Sequence, residues 1–216
     1  MTHIDTPGKP IAENPEGSSD ESGSAARFRE ICNPVTGERI QFTAVAPERD
    51  EDVVRFNWRS APGGAIPEHV HPHQQERFTI VSGEAHFKLE GGERAIGAGE
   101  SIVAAAGVRH AEENRGSVEV VGVVELRPAL HSRQMHEAFA GLAADGMTTA
   151  SGAPKNPLQL GATVWHFRHE SRVTSPPIWA QNLILPPLWA LAKIFGVRAY
   201  YDRWDSRTTT SQPTPQ

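Results

Sequence analysis

Cysteine is almost absent. Cys32 is the only one in 216 residues, so no disulfide can form within the chain, and without basic or histidine neighbours its thiol is expected to be inert. An excess of positive charge is missing too: Lys and Arg number 21 against 26 Asp and Glu, a formal net charge of −5. Surfaces that hold a polyanion depend on surplus cations, so nucleic acid is not expected as a partner. The N-terminus has neither the basic start nor the apolar run of a secretion signal, and the expected address is cytoplasmic. No apolar run suits a membrane span. The richest, Ile178 to Val197, is interrupted by Pro186 and Pro187 and carries Gln181, Asn182 and Lys193. Packing against the rest of the fold or against a second subunit, as in a homodimer, is expected of this stretch, and membrane contact is not.

Large apolar side chains are scarce at both ends. Residues 1–26 are rich in Ser, Pro, Gly and acid and bury too little surface to offset the entropy of ordering, so a disordered arm is expected there. A disordered tail is expected over 205–216 for the same reason. The length between them suits one domain with an appendage.

From 27 to 130 the chain reads as short β-rich runs punctuated by Gly, Pro, Asn and Asp, among them "RIQFTAV", "DVVRFNWRS", "ERFTIVS" and "SVEVVGVVELR", the pattern of an all-β sandwich or barrel. From 131 to 204 the character turns helical. "HSRQMHEAFAGLAADG" spaces Met135, Phe139 and Leu142 as a helix would, with Gly146 placed to cap it. "NPLQLGATVWHFRHES" reads as a second helix opening on Pro157.

The stretch "PEHVHPHQQERF" concentrates three of the ten histidines within five residues. If "EHVH" is extended, His69 and His71 project to one face, because side chains alternate along a strand. Glu76 follows across a short turn, and His110 stands between a Gly-bearing turn and another strand. Three neutral imidazoles and one carboxylate on a β scaffold suit a first-row divalent cation, namely iron, manganese, nickel, cobalt, copper or zinc. Four protein ligands leave coordination positions for water or substrate.

Glycines frame these residues at fixed offsets. Gly63, His69, His71, Glu76 and Gly83 run as G, five residues, HxH, four residues, E, six residues, G; Gly99, Gly107, His110 and Asn114 form a second pattern, with Ala105 where a proline would usually stand. This resembles the paired motifs of the cupin superfamily. The resemblance implies a small jelly-roll β-barrel followed here by a C-terminal helical extension. It further implies a metal held by His69, His71, Glu76 and His110, with iron as the first choice. Metal-dependent cupins of this kind act on small organic molecules, many by dioxygen insertion, others by redox-neutral isomerase, cyclase or lyase chemistry, and some only bind. A small-molecule substrate and a dioxygenase-like oxidoreductase are accordingly expected.

Further residues bear on that expectation. Glu112 lies two residues beyond His110 and shares its face if the strand continues, which makes it a candidate catalytic base beside the cation. The plain alternative is a bulge that turns it to solvent. His73 sits in the turn before Glu76 and is not a ligand position of the family pattern. Phe56 and Trp58 share an inward face opposite Arg55, Asn57 and Arg59. Glu125 and Arg127 share a face and are expected to pair.

Overall fold

A computed structural model describes residues 28–45, 52–89 and 92–207. The expected arm at 1–26 lies outside the described residues, as does most of the expected tail. Ten strands precede the first helix: β1 (Ile31–Asn33), β2 (Glu38–Val45), β3 (Val54–Ser60), β4 (Ala65–Val70), β5 (Gln75–Ser82), β6 (Glu84–Leu89), β7 (Gly92–Gly97), β8 (Ser101–Ala104), β9 (Arg109–Glu113) and β10 (Val120–Arg127). Among the described residues three α-helices, α1 (Ser132–Ala144), α2 (Pro157–His166) and α3 (Ile178–Ile194), follow, with a two-residue strand β11 (Arg172–Val173) before the last and a 3-10 turn at Asp202–Trp204 after it.

All strand pairs are antiparallel and form two sheets, one ordered β1-β2-β3-β10-β5-β8 and the other β11-β4-β9-β6-β7. This is the expected jelly roll. Alternation does most of the folding work. In β3, Val54, Phe56, Trp58 and Ser60 are buried while Asn57 and Arg59 are exposed, so each strand delivers one apolar face to the space between the sheets. Phe56, Trp58 and Phe78 from the first sheet meet Phe87 and Ile96 from the second in a single core cluster. Tight turns hold the pairs in register. Gly83 joins β5 to β6 at φ +82°, and a Cβ there would stand 3.0 Å from the carbonyl oxygen of Glu119, so only glycine fits.

The helical extension is locked to the jelly roll. Ala129 and Ala140 of the α1 region belong to the main core, whereas Met135, Leu142, Phe167 and Trp204 form a second cluster of their own. α2 starts as expected, its Asn156 side chain accepting from the backbone N–H groups of Leu158 and Gln159. β11 adds the extension to the sheet itself, Val173 pairing with His69.

Two expectations change. The tail boundary at 205 falls too early: Ser206 is fully buried and donates its backbone N–H to Glu137 of α1 at 2.8 Å, a hydrogen bond to a buried charge that composition could not reveal. The stretch from Ile178 is not broken by its prolines, because α3 runs through Pro186 and Pro187. Each proline removes one backbone donor, and the helix persists because one side rests on α2: at Gly161 a Cβ would lie 2.5 Å from Cβ of Leu188. Nor does α3 bury most of its apolar side chains. Only Gln181, Leu185 and Ala192 are buried. Among the described residues no helix is long and apolar enough to cross a membrane.

Candidate metal centre

Both sheets contribute to the site. His69 at the end of β4 pairs in register with His110 on β9, while Glu76 stands on β5 between Leu126 of β10 and Ala104 of β8. His71 is the first residue past β4. One ligand atom from each of His69, His71, Glu76 and His110 lies within 4.8 Å of the others. The turns that deliver them are cross-tied: the Gly107 N–H donates to the His71 carbonyl at 2.9 Å, and the Val108 N–H closes the turn onto Ala105 at 3.0 Å. The turn therefore forms without the usual proline. Asn114 is fully buried and donates to the carbonyls of Ser60 and Val118, both at 2.9 Å, which anchors the far end of β9.

The tautomers are set by the backbone. Nδ1 of His69 lies 2.9 Å from the Pro67 carbonyl, Nδ1 of His110 lies 3.0 Å from that of Val108, and Nδ1 of His71 lies 2.5 Å from that of Glu170. A carbonyl only accepts, so each Nδ1 carries the proton and each Nε2 is left with its lone pair. Those three Nε2 atoms point at one another and at Glu76: 3.2 Å from His69 to His71, 3.2 Å from His71 to Glu76, and 2.8 Å from His110 to Glu76. Basic atoms gathered this closely suit a shared cation, and carbonyl-held imidazoles are the arrangement that orients metal ligands. The donor set therefore fits a divalent transition metal.

The four atoms together favour positive charge, whether a proton or a cation supplies it. Burial alone would raise the Glu76 carboxyl, yet His71 and His110 hold it well below the usual carboxylate range. Burial opposes charge on His71, but the neighbouring Glu76 wins and raises it. His69 is pushed down to about 3, by burial first and then by His71 and His110.

Glu112 points inward, as strand parity requires: it is buried, and neither of its oxygens has a hydrogen-bond partner among the described residues. Burial, and secondarily the charge of Glu38, raise it to about 9. That direction disfavours the ionised form that a base poised at neutral pH requires, and its atoms are not among the four that converge.

The remaining candidates fall elsewhere. His73 is exposed and stacks on His169 of the extension, with centroids 5.5 Å apart. Glu125 accepts from Arg55 at 2.7 Å, nearer than Arg127 at 3.8 Å, because the register sets Arg55 directly opposite. Three participants escaped the sequence reading. Glu170 supplies the carbonyl for His71. Gln74, fully buried, donates to Ser132 Oγ at 2.6 Å and to the Pro128 carbonyl at 2.7 Å, clamping the ligand-bearing turn to α1. His136 on α1 sets its ring 5.0 Å from that of Phe56. Gln74 had a signal, being a polar residue between two ligands; the others depend on tertiary contacts.

Comparison with known proteins meets the same stretch. A tetracenomycin polyketide synthase protein, TcmJ, of Streptomyces glaucescens is 31% identical over 68 residues, which is 32% of this chain and 46% of that relative. The match thus spans about half the length of the curated relative. An uncharacterized conserved protein with a double-stranded β-helix domain from Klebsiella pneumoniae is 26% identical, covering 53% of this chain and 93% of that one with a TM-score of 0.40. A predicted oxalate decarboxylase from Thermotoga maritima is 20% identical, covering 48% and 93%, with a TM-score of 0.42. Residues 56–124 match the family model described as the cupin domain, and since that span holds both glycine-framed motifs and all four converging side chains, this part of the chain is a cupin domain.

Proposed function

We propose that the chain is a metal-dependent enzyme of the dioxygenase kind, acting on a small organic molecule. The observation that carries this reading is the convergence of three carbonyl-set Nε2 atoms and the Glu76 carboxylate between the sheets. A divalent transition metal, iron first and manganese, nickel, cobalt, copper or zinc as alternatives, would supply Lewis acidity there and, where redox-active, reactivity with dioxygen. The protein's part is positional. Four protein donors leave coordination positions for a substrate oxygen, and the core of Phe56, Trp58 and Phe78 lies between the same two sheets. Glu112, neutral and without a partner, can donate a hydrogen bond or a proton to a substrate oxygen that reaches it.

A redox-neutral reading is favoured by that same neutral carboxyl and by the similarity to a polyketide synthase protein. A carbonyl substrate could be cyclised or isomerised through an enolate, its oxygen hydrogen-bonded by Glu112 while the α-proton passes to solvent water. Elemental analysis of anaerobically purified protein, followed by oxygen uptake against phenolic and diketone substrates, separates the cases. Uptake in step with substrate loss supports the dioxygenase; conversion without uptake supports the redox-neutral enzyme. Tight binding with neither would leave a non-catalytic binding cupin and overturn both.

A further inference from the structure

α3 exposes what a buried helix would hide. Trp179, Leu183, Pro187, Ala190 and Ile194 follow one another at spacings of four, four, three and four residues, which places them in one stripe. Trp179 is 72%, Leu183 70% and Ile194 76% exposed. Ile184, Leu191 and Phe195 border the stripe on one side and are exposed as well. The buried residues Gln181, Leu185 and Ala192 occupy the opposite side, against α2. Patches of contiguous apolar surface on this scale mark contact sites.

The other border is basic. Lys193 lies with its Nζ 3.9 Å from the Trp189 ring, and Arg172 donates to Asn182 of α3 at 2.8 Å. From 171 to 201 the chain contains Arg172, Lys193 and Arg198 and no Asp or Glu, although the whole chain is acidic. Beside Lys193 opens a cleft of about 630 Å³ lined by His131, His166, Trp189, Lys193 and Arg198, with no carboxylate in its wall. Its chemistry suits a phosphate-sized anion flanked by apolar surface.

These two features adjoin, sharing Trp189 and Lys193, and together they select the occupant. A second copy paired about a two-fold axis through the middle of α3 would bring the Arg172 end of one helix to the Lys193 and Arg198 end of the other, setting cation against cation with no acid from this segment to offset them. An anionic bilayer satisfies both borders at once. We propose that α3 docks on the surface of an anionic phospholipid membrane, its stripe entering the acyl boundary and the His131–Lys193–Arg198 cleft facing the phosphate headgroups. The helix lies on the membrane and does not cross it.

The test is flotation of the full chain with vesicles of phosphatidylcholine alone and of phosphatidylcholine with phosphatidylglycerol, at low and high salt, with tryptophan emission recorded in parallel. Co-flotation with the anionic vesicles, a blue-shifted emission and weakening by salt are expected. Leu183→Glu with Ile194→Glu should lower partitioning by about tenfold or more. Lys193→Gln with Arg198→Gln should selectively remove the preference for anionic vesicles. All four positions are exposed, and circular dichroism with metal content verifies that the variants fold. If the wild-type chain floats with neither vesicle, the proposal fails; if it is then a dimer by light scattering and becomes a monomer on the glutamate substitutions, the stripe is a subunit interface. A tryptophan emission change on adding inorganic phosphate, without flotation, would make the cleft a site for a free anion and would equally overturn it.

Discussion

The backbone carbonyl of Glu170, in the helical extension, accepts the Nδ1 proton of His71 in the jelly roll at 2.5 Å. The Glu170 side chain is itself fixed from α1, where its Oε1 accepts from the His131 backbone N–H at 3.2 Å and lies 3.0 Å from the His131 ring nitrogen. The extension thus orients a ligand without providing one. Glu170→Ala frees this carbonyl from its anchor, and metal affinity measured by chelator competition should fall by about tenfold to a hundredfold, the usual effect of removing support from a ligating histidine. Affinity equal to that of the wild type would show that neighbouring backbone contacts hold the carbonyl by themselves.

Replacing His69, His71 or His110 by Ala should sharply lower bound metal while the jelly roll stays folded, because the core of Phe56, Trp58, Phe78 and Phe87 is untouched. Elemental analysis alongside circular dichroism is the measurement. Near-stoichiometric metal in a His69→Ala, His71→Ala double variant would mean that the cation lies elsewhere.

Glu112→Gln keeps the shape of a neutral carboxyl but cannot pass on its proton. Metal content should be unchanged, since the four converging atoms remain, and turnover should drop by about a hundredfold with little change in KM if Glu112 transfers a proton. Metal lost together with turnover would make Glu112 a ligand. Turnover equal to the wild type would remove it from the chemistry.

His136 predicts a pH dependence of stability. Its ring packs against those of Phe42 and Phe56, its Nδ1 donates to the Ser132 carbonyl at 2.7 Å, and burial lowers it from the ordinary 6.5. The unfolded chain therefore takes up the proton first as pH falls. Stability associated with this ring is complete above the unfolded value and drains away below it. His69, lowered to about 3, adds to the same trend. His136→Phe should flatten the fall in urea midpoint between about pH 7.5 and about pH 5 without abolishing it. An identical slope in the variant would show that the ring is free to titrate in the folded protein.

Much of this was legible in the chain itself, for physical reasons. Period-two alternation marks β3 and β10 because each has one buried face, and the ligand spacing reads directly because His69, His71 and Glu76 are close in sequence. Parity also placed Glu112 inside. Its raised pKa could not be read that way, since it depends first on the depth of burial and then on Glu38, a residue 74 positions away brought near by the fold. The Glu170 carbonyl was invisible for a similar reason: any residue type offers a carbonyl, and only tertiary structure sets this one against an imidazole 99 residues distant. α3 misled in two ways. Its prolines read as a break and its apolar residues as packed against the fold or a second subunit, whereas a helix supported along one side by α2 tolerates the missing donors and, within the single chain, leaves its other side open.

That support rests on a missing carbon. At Gly161 the two helices meet backbone to backbone, with the place of a Cβ only 2.7 Å from the Trp189 nitrogen. His166 stands on one helix and Trp189 and Lys193 on the other, so the spacing at Gly161 works as a gauge for the gap between them. A single methyl group there would act as a shim, prising α3 away from α2 and altering the aperture that any anion must enter, though residue 161 is not itself among the residues lining the cleft.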